Sequence, residues 1–271
     1  MLLAVTWLAA ADALQRLGLD AAWRTVAGAA VVAPVVALVA MGELNQLSLL
    51  KEYVNRQDVF HGAFVRHLEI VGATLLPTLL IGVPLGLALV RSERLAPAVF
   101  AVLNVIQTVP SIALFGLLIG PLAVLAAALP WLGRLGISGI GLAPAVIALT
   151  LYSLLPIVRS TVAGLGQVPR PVIEAAAGMG LTPRQIFWKV QVPIAFPLLL
   201  SGVRVTTVQA IGLTVVAALI GAGGLGSIMF QGLLSSALDL VLLGVLPVIA
   251  LAVMVDAVFG SLTLMLDRSQ R

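Results

Sequence analysis

Several stretches of about twenty residues run through this 271-residue chain with almost no charge, and that is the length a helix needs to cross a hydrocarbon core of roughly 30 Å. Their apolarity is continuous rather than alternating, so they read as membrane helices and not as barrel strands, whose side chains face lipid and lumen in turn. Composition agrees: 61% of residues are hydrophobic, 10% are charged, and the mean hydropathy is +1.16. The fold class is therefore all-α and polytopic in a membrane. A net charge of +4 does not point to nucleic acid, because the arginines flank apolar segments, where they orient a chain in the bilayer. The absence of cysteine excludes disulfides and thiolate metal sites. The two histidines, His61 and His67, form no ligand pattern, and no metal site is expected.

Six spans are expected, over residues 21–41, 68–90, 96–119, 142–158, 195–220 and 240–264. Trp23 and Arg24 suit the membrane interface at the start of the first. The apolar run over residues 2–11 is too short to cross. Residues 43–67 carry Leu44, Leu47, Leu50 and Val54 at helical spacing among charges, the pattern of an amphipathic helix on the membrane surface. In the third span, Pro110 within Gln107-Thr108-Val109-Pro110-Ser111 predicts a kink that Thr108 and Ser111 help to satisfy. That kink reads equally as a gate or as static packing. Residues 121–141 read as a loop with a short interfacial helix. The run Gly221-Ala222-Gly223-Gly224-Leu225-Gly226 has no Lys-Ser or Lys-Thr after it, so it is a bend or unwound helix end rather than a phosphate loop.

The longest internal charged segment between apolar runs covers residues 169–193. Pro169 and Pro171 suit a first helical turn, Glu174 lies near its positive dipole end, and Gly178 and Gly180 can end it in the left-handed conformation. Thr182, Pro183 and Gln185 then spell an N-cap, a first-turn proline and the partner of a capping box. Two short helices joined by a tight corner are predicted, a shape suited to a groove on a soluble partner.

Glu174-Ala175-Ala176, the spaced Gly180 and Val190-Gln191-Val192-Pro193 resemble the EAA loop of ATP-binding cassette importer permeases, with valines where that family has isoleucine and leucine. Similarity extends over residues 68–264. Gln107-Thr108-Val109-Pro110-Ser111-Ile112-Ala113-Leu114, Leu151-Tyr152-Ser153-Leu154-Leu155-Pro156-Ile157-Val158-Arg159 and Ile220-Gly221-Ala222-Gly223-Gly224-Leu225-Gly226 look most like the osmoprotectant permeases that handle glycine betaine, choline and carnitine. The resemblance implies a type I permease fold with a five-helix core, residues 68–265, carrying a cytoplasmic coupling loop at 165–193. The N-terminal region, residues 1–67, would add one transmembrane helix and the surface helix.

It also implies two ATPase subunits as partners, a second permease subunit of the same or a homologous chain, and an extracytoplasmic substrate-binding protein, in a bacterial inner membrane. ATP would be bound by the partner, and this chain would hold no cofactor and perform no catalysis. The coupling residues would be Glu174, Ala175, Ala176, Gly180 and Arg184. Gln107, Thr108, Pro110, Ser111, Tyr152, Ser153, Thr206, Thr207, Gln209 and Thr214 are candidates to line or gate the pathway. With the coupling loop cytoplasmic, all of the fifteen basic residues except Lys51, Arg56, Arg66 and Arg134 fall on or near that side, in accord with the positive-inside tendency. Arg204, some two turns inside the fifth span, is expected to snorkel to the cytoplasmic face. Asp256 has no assigned neighbour. Methionine, taurine or another small solute, or an ion-coupled secondary transporter, are the competing readings.

Overall fold

The computed structural model describes residues 48–269 except 93, 135, 136 and 138; the span expected at 21–41 lies outside them. The chain divides into two compact units between Arg56 and Gln57. Within the first, α1 (Ser48–Asn55) is followed by Arg56, whose guanidinium pairs with Glu52 one turn back.

The second unit is a bundle of helices. Among the described residues, five are long and apolar enough to cross a membrane. They are α2 (Gln57–Arg91), α4 (Ser111–Ala128), α6 (Leu142–Gly166), a composite helix over Pro183–Ile220 and α11 (Leu238–Ser269). Shorter apolar helices, α3 (Ala96–Thr108) and α10 (Leu225–Leu234), pack among them. The bundle is built around α6. In its most apolar window 61% of residues are buried, against 39% or less in the other spans.

Small residues set how closely the helices approach, as expected where lipid removes the usual hydrophobic drive for helix association. The buried stripe of α2 runs through His67, Ile70, Val71, Thr74, Thr78, Gly82, Gly86 and Leu89, a single helical face. A Cβ at Gly82 would fall 2.8 Å from Ile157, and one at Gly86 would fall 2.6 Å from Thr161, both on α6. Farther along the chain, a Cβ at Gly226 would fall 2.1 Å from the Val215 carbonyl, and one at Gly244 would fall 2.7 Å from the Met229 nitrogen.

Four expectations are corrected. Of the helix expected to lie on the surface over 43–67, residues 43–47 lie outside the described residues and the rest is two pieces: α1, and the opening turns of α2, which starts well before residue 68. Pro110 does not kink one span but breaks it. Val109 and Pro110 are both extended, with ψ of 128° and 136°, and separate helices lie on either side. The loop expected from residue 121 begins only after Ala128, because Pro121 sits within α4, and the apolar, alanine-rich stretch after it favours helix. Between Ala128 and Leu142 the described residues form one short helix, α5 (Pro130–Arg134).

The fourth correction concerns the coupling loop. One free short helix is present, α7 (Arg170–Gly178). The expected second helix, α8 (Pro183–Ile186), runs through a π-helical segment (Phe187–Gln191) into α9 (Val192–Ala217) and a closing 3₁₀ turn. Charges at Arg184 and Lys189 disguise that continuity in the sequence, since they interrupt the apolar pattern without interrupting the backbone. The glycine run forms a turn as expected. Gly221, Gly223 and Gly224 all have φ near +80 to +90°, a region other residues rarely occupy.

Candidate functional site

α7 ends in a defined corner that leads into α8. Its C-terminal end closes in a Schellman arrangement, with Leu181 N donating to Ala176 O at 3.2 Å and Gly180 N to Ala177 O at 2.9 Å. Gly180 takes φ +82° at this corner. Thr182 then caps α8 in a reciprocal box: Gln185 N donates to Thr182 Oγ1 at 3.4 Å, and Thr182 N donates to Gln185 Oε1 at 2.8 Å. Two turns of independent helix are thereby locked to the start of a membrane span.

Of the expected coupling residues, Glu174, Ala175, Gly180 and Arg184 are exposed, and Ala176 is buried. Sequence reasoning missed the apolar residues on this face. Met179 is 75% exposed and Trp188 60%. Trp188, which reads as a bilayer anchor in the sequence, lies in the π-helical segment a few residues after the capped corner.

A groove of about 460 Å³ opens between α3, α6 and α9. Gln107, Arg159, Ser160, Ser201 and Gln209 are its polar walls, and Leu155, Pro156 and Val205 are among its apolar ones. Gln107 Nε2 donates to the Tyr152 carbonyl at 2.6 Å, and the Tyr152 hydroxyl donates to the Val109 carbonyl at the α3–α4 break. Arg159 Nη2 donates across to Asn104 Oδ1 on α3 at 3.2 Å. The floor is tight, since a Cβ at Gly202 would collide with Ser160.

Residues 78–271 match the model described as binding-protein-dependent transport system inner membrane component. The chain belongs to that permease family. A second model, ABC transporter permease YehY, N-terminal domain, matches residues 1–50 of the permease. Similar curated proteins include the osmoprotectant import permease protein OsmW of Salmonella typhimurium, 40% identical over 191 residues, covering 70% of this permease and 84% of OsmW. The carnitine transport permease protein OpuCB of Listeria monocytogenes is 38% identical over 197 residues, covering 73% and 83%. The choline transport system permease protein OpuBB of Bacillus subtilis is 35% identical, covering 72% and 82%. The fold is shared with the MetNI methionine ABC transporter in inward-facing conformations, at TM-score 0.65 and 23% identity, covering 78% of this chain and 98% of the other. It is shared too with an amino acid ABC transporter with histidines, at TM-score 0.60 and 17% identity, covering 83% and 99%.

The remaining pathway candidates of the permease fall in different places. Gln107 and Gln209 meet in the groove. Tyr152, Ser153, Thr206, Thr207 and Thr214 are buried within the bundle, where Thr207 and Thr214 return their hydroxyl protons to carbonyls one turn back at 2.7 Å. Thr108 does the same to Val105 at 2.7 Å beside the break, while Pro110 and Ser111 form the start of α4. Asn104, Ser160 and Ser201 were not singled out in the sequence, and Arg159 entered only as the end of the Leu151–Arg159 segment, not as a pathway residue. Arg159 looked like the flank of a span ending at residue 158, whereas α6 continues to Gly166.

Arg204, for which no partner was expected, forms a two-pronged pair with Asp256 of α11, both distances being 2.6 Å. A charge inside a span needs such a partner, and residues 52 positions apart give no local sign of it. At the glycine turn, Arg66 Nε donates to Ala222 O at 3.0 Å and His67 packs against Gly224, while His67 Nε2 lies 3.2 Å from Ile211 O on α9. The two side chains clasp that turn from α2.

Proposed function

We propose that the chain is the membrane-spanning subunit of an ATP-driven importer for a small quaternary-amine osmoprotectant, working by alternating access in a bacterial inner membrane. The observation that carries this reading is α7, a short helix with exposed Glu174 and Ala175, followed by exposed Met179 and by a capped corner from which helix runs unbroken from α8 into the span formed by α9. Such a segment is a handle for a soluble subunit. The substrate class is supported by the 35–40% identity to permeases named for osmoprotectants, carnitine and choline.

Two ATPase subunits would bind ATP and grip α7 of each of two permease subunits, while an extracytoplasmic binding protein delivers substrate. Residues 68–265 would form the transport core, with coupling loop 165–193, and residues 1–67 an added N-terminal region. Nucleotide binding can bias the permease only if the two ATPase states hold α7 differently. The displacement would enter the bundle through the π-helical segment Phe187–Gln191, a hydrogen-bond register that often marks functional positions. The groove between α3, α6 and α9 would then face the substrate route.

The test is uptake of radiolabelled glycine betaine by cells carrying the whole importer, in a host lacking its own osmoprotectant uptake. Uptake abolished by an ATPase subunit unable to hydrolyse ATP supports the reading. Uptake that persists without that subunit and collapses with the ion gradient refutes it.

A further inference from the structure

The charge pattern of the groove narrows the substrate. Among the described residues, Arg159 is the one charged side chain in the groove's walls, which hold neither a carboxylate nor an aromatic ring. A trimethylammonium group would therefore find no cation–π cage there and would be repelled by the guanidinium. Among the described residues Arg56, Arg66 and Arg204 pair with acids, whereas Arg159, like Arg91, Arg94, Arg170 and Arg184, is shown with no acid partner; of these only Arg159 lines the groove. Its only described partner is the neutral Asn104, which uses one of five N–H donors. The exposed bond to Asn104 links α6 to α3 at the edge of the groove.

We propose that Arg159 receives the carboxylate of a zwitterionic betaine in this groove, so that carboxylate-bearing quaternary amines pass in preference to purely cationic ones such as choline. The planar guanidinium matches a carboxylate two-pronged. Ser160, Ser201 and Gln209 supply neutral hydrogen bonds, and Leu155 and Val205 offer apolar surface to the methyl groups. The volume of about 460 Å³ suits a small solute. This inference rests on the osmoprotectant reading above.

The test uses the complete permease–ATPase complex in lipid nanodiscs without its binding protein. Saturation-transfer NMR titrations with glycine betaine, choline and methionine, corrected against empty nanodiscs, read weak binding directly. Glycine betaine is expected to bind about tenfold or more tighter than choline, the scale of a charge-assisted contact. Arg159→Gln should reduce that ratio to about twofold or less, and Arg159→Lys, which keeps the charge, should preserve most of it. Retained elution volume on size exclusion and an unchanged melting midpoint of both variants verify assembly. Equal binding of choline and glycine betaine by the unmodified complex, or an unchanged ratio in Arg159→Gln, overturns the carboxylate inference and leaves the osmoprotectant reading standing. Binding of methionine and of neither quaternary amine overturns both.

Discussion

An alanine at Gly202 would place its Cβ 1.9 Å from Ser160 Oγ and 2.4 Å from Ser160 Cβ. The hydroxyl can turn away, giving up its 3.0 Å bond to the Ile157 carbonyl. The Ser160 Cβ cannot, because it is fixed to the α6 backbone. Restoring ordinary carbon–carbon contact requires α6 and α9 to part by about 1 Å. Overpacking of this kind costs about 1–3 kcal/mol, and alanine's better helix propensity returns up to about 1 kcal/mol. A net loss of about 1–2 kcal/mol is expected, equivalent to a midpoint lowered by several degrees at roughly 2–4 °C per kcal/mol.

Thermal melting of the purified complex reads the effect, alongside the initial rate of uptake. Gly212→Ala is the control: it lies on the same helix with nothing within 4 Å of its Cβ position, and it should melt at or slightly above the unmodified complex. Ser160→Gly removes the obstructing carbon, so adding it to Gly202→Ala should recover about 1 kcal/mol or more in a double-mutant cycle. If Gly202→Ala melts with Gly212→Ala and Ser160→Gly rescues nothing, α6 and α9 do not meet as described.

Gly180→Val puts a β-branched residue at φ +82°, costing about 1–2 kcal/mol at the corner; uptake should fall while ATPase activity persists, and normal uptake would separate this corner from coupling. Tyr152→Phe removes the hydroxyl that donates to Val109 O at the helix break. A loss of about 1 kcal/mol in complex stability is expected, seen as a lower melting midpoint with the bundle otherwise intact. Arg204→Ala leaves Asp256 unpaired in a span and should reduce the yield of folded permease more than Arg204→Ala with Asp256→Ala; the reverse order, measured by fluorescence-detected size exclusion, would show that the pair is dispensable.

The coupling loop illustrates how far local chemistry reaches. Thr182, Pro183 and Gln185 announce a capping box, and Gly180 a left-handed corner, because each signal acts within a few residues of itself. The merger of α8 with α9 was hidden for the complementary reason. A charged stretch ahead of Pro193 resembles a loop in sequence, and nothing local separates a helix that continues from one that restarts. At Pro110 the error ran the other way: a single proline permits either a kink or a break, and the hydrogen bond from Tyr152 on another helix accompanies the break.

Span length, all-α class and the capped helix ahead of the composite span follow from hydropathy and short-range propensity, which depend on neighbours along the chain. Which glycines are contact points, which arginine is neutralised and which faces a groove depend on residues tens of positions away. Gly202 and Gly212 are alike in sequence, yet one abuts Ser160 and the other open space. Arg159 and Arg204 both lie in membrane helices, and only the packing of α9 on α11 gives Arg204 a carboxylate, leaving Arg159 to face the groove with its charge unbalanced by any described acid.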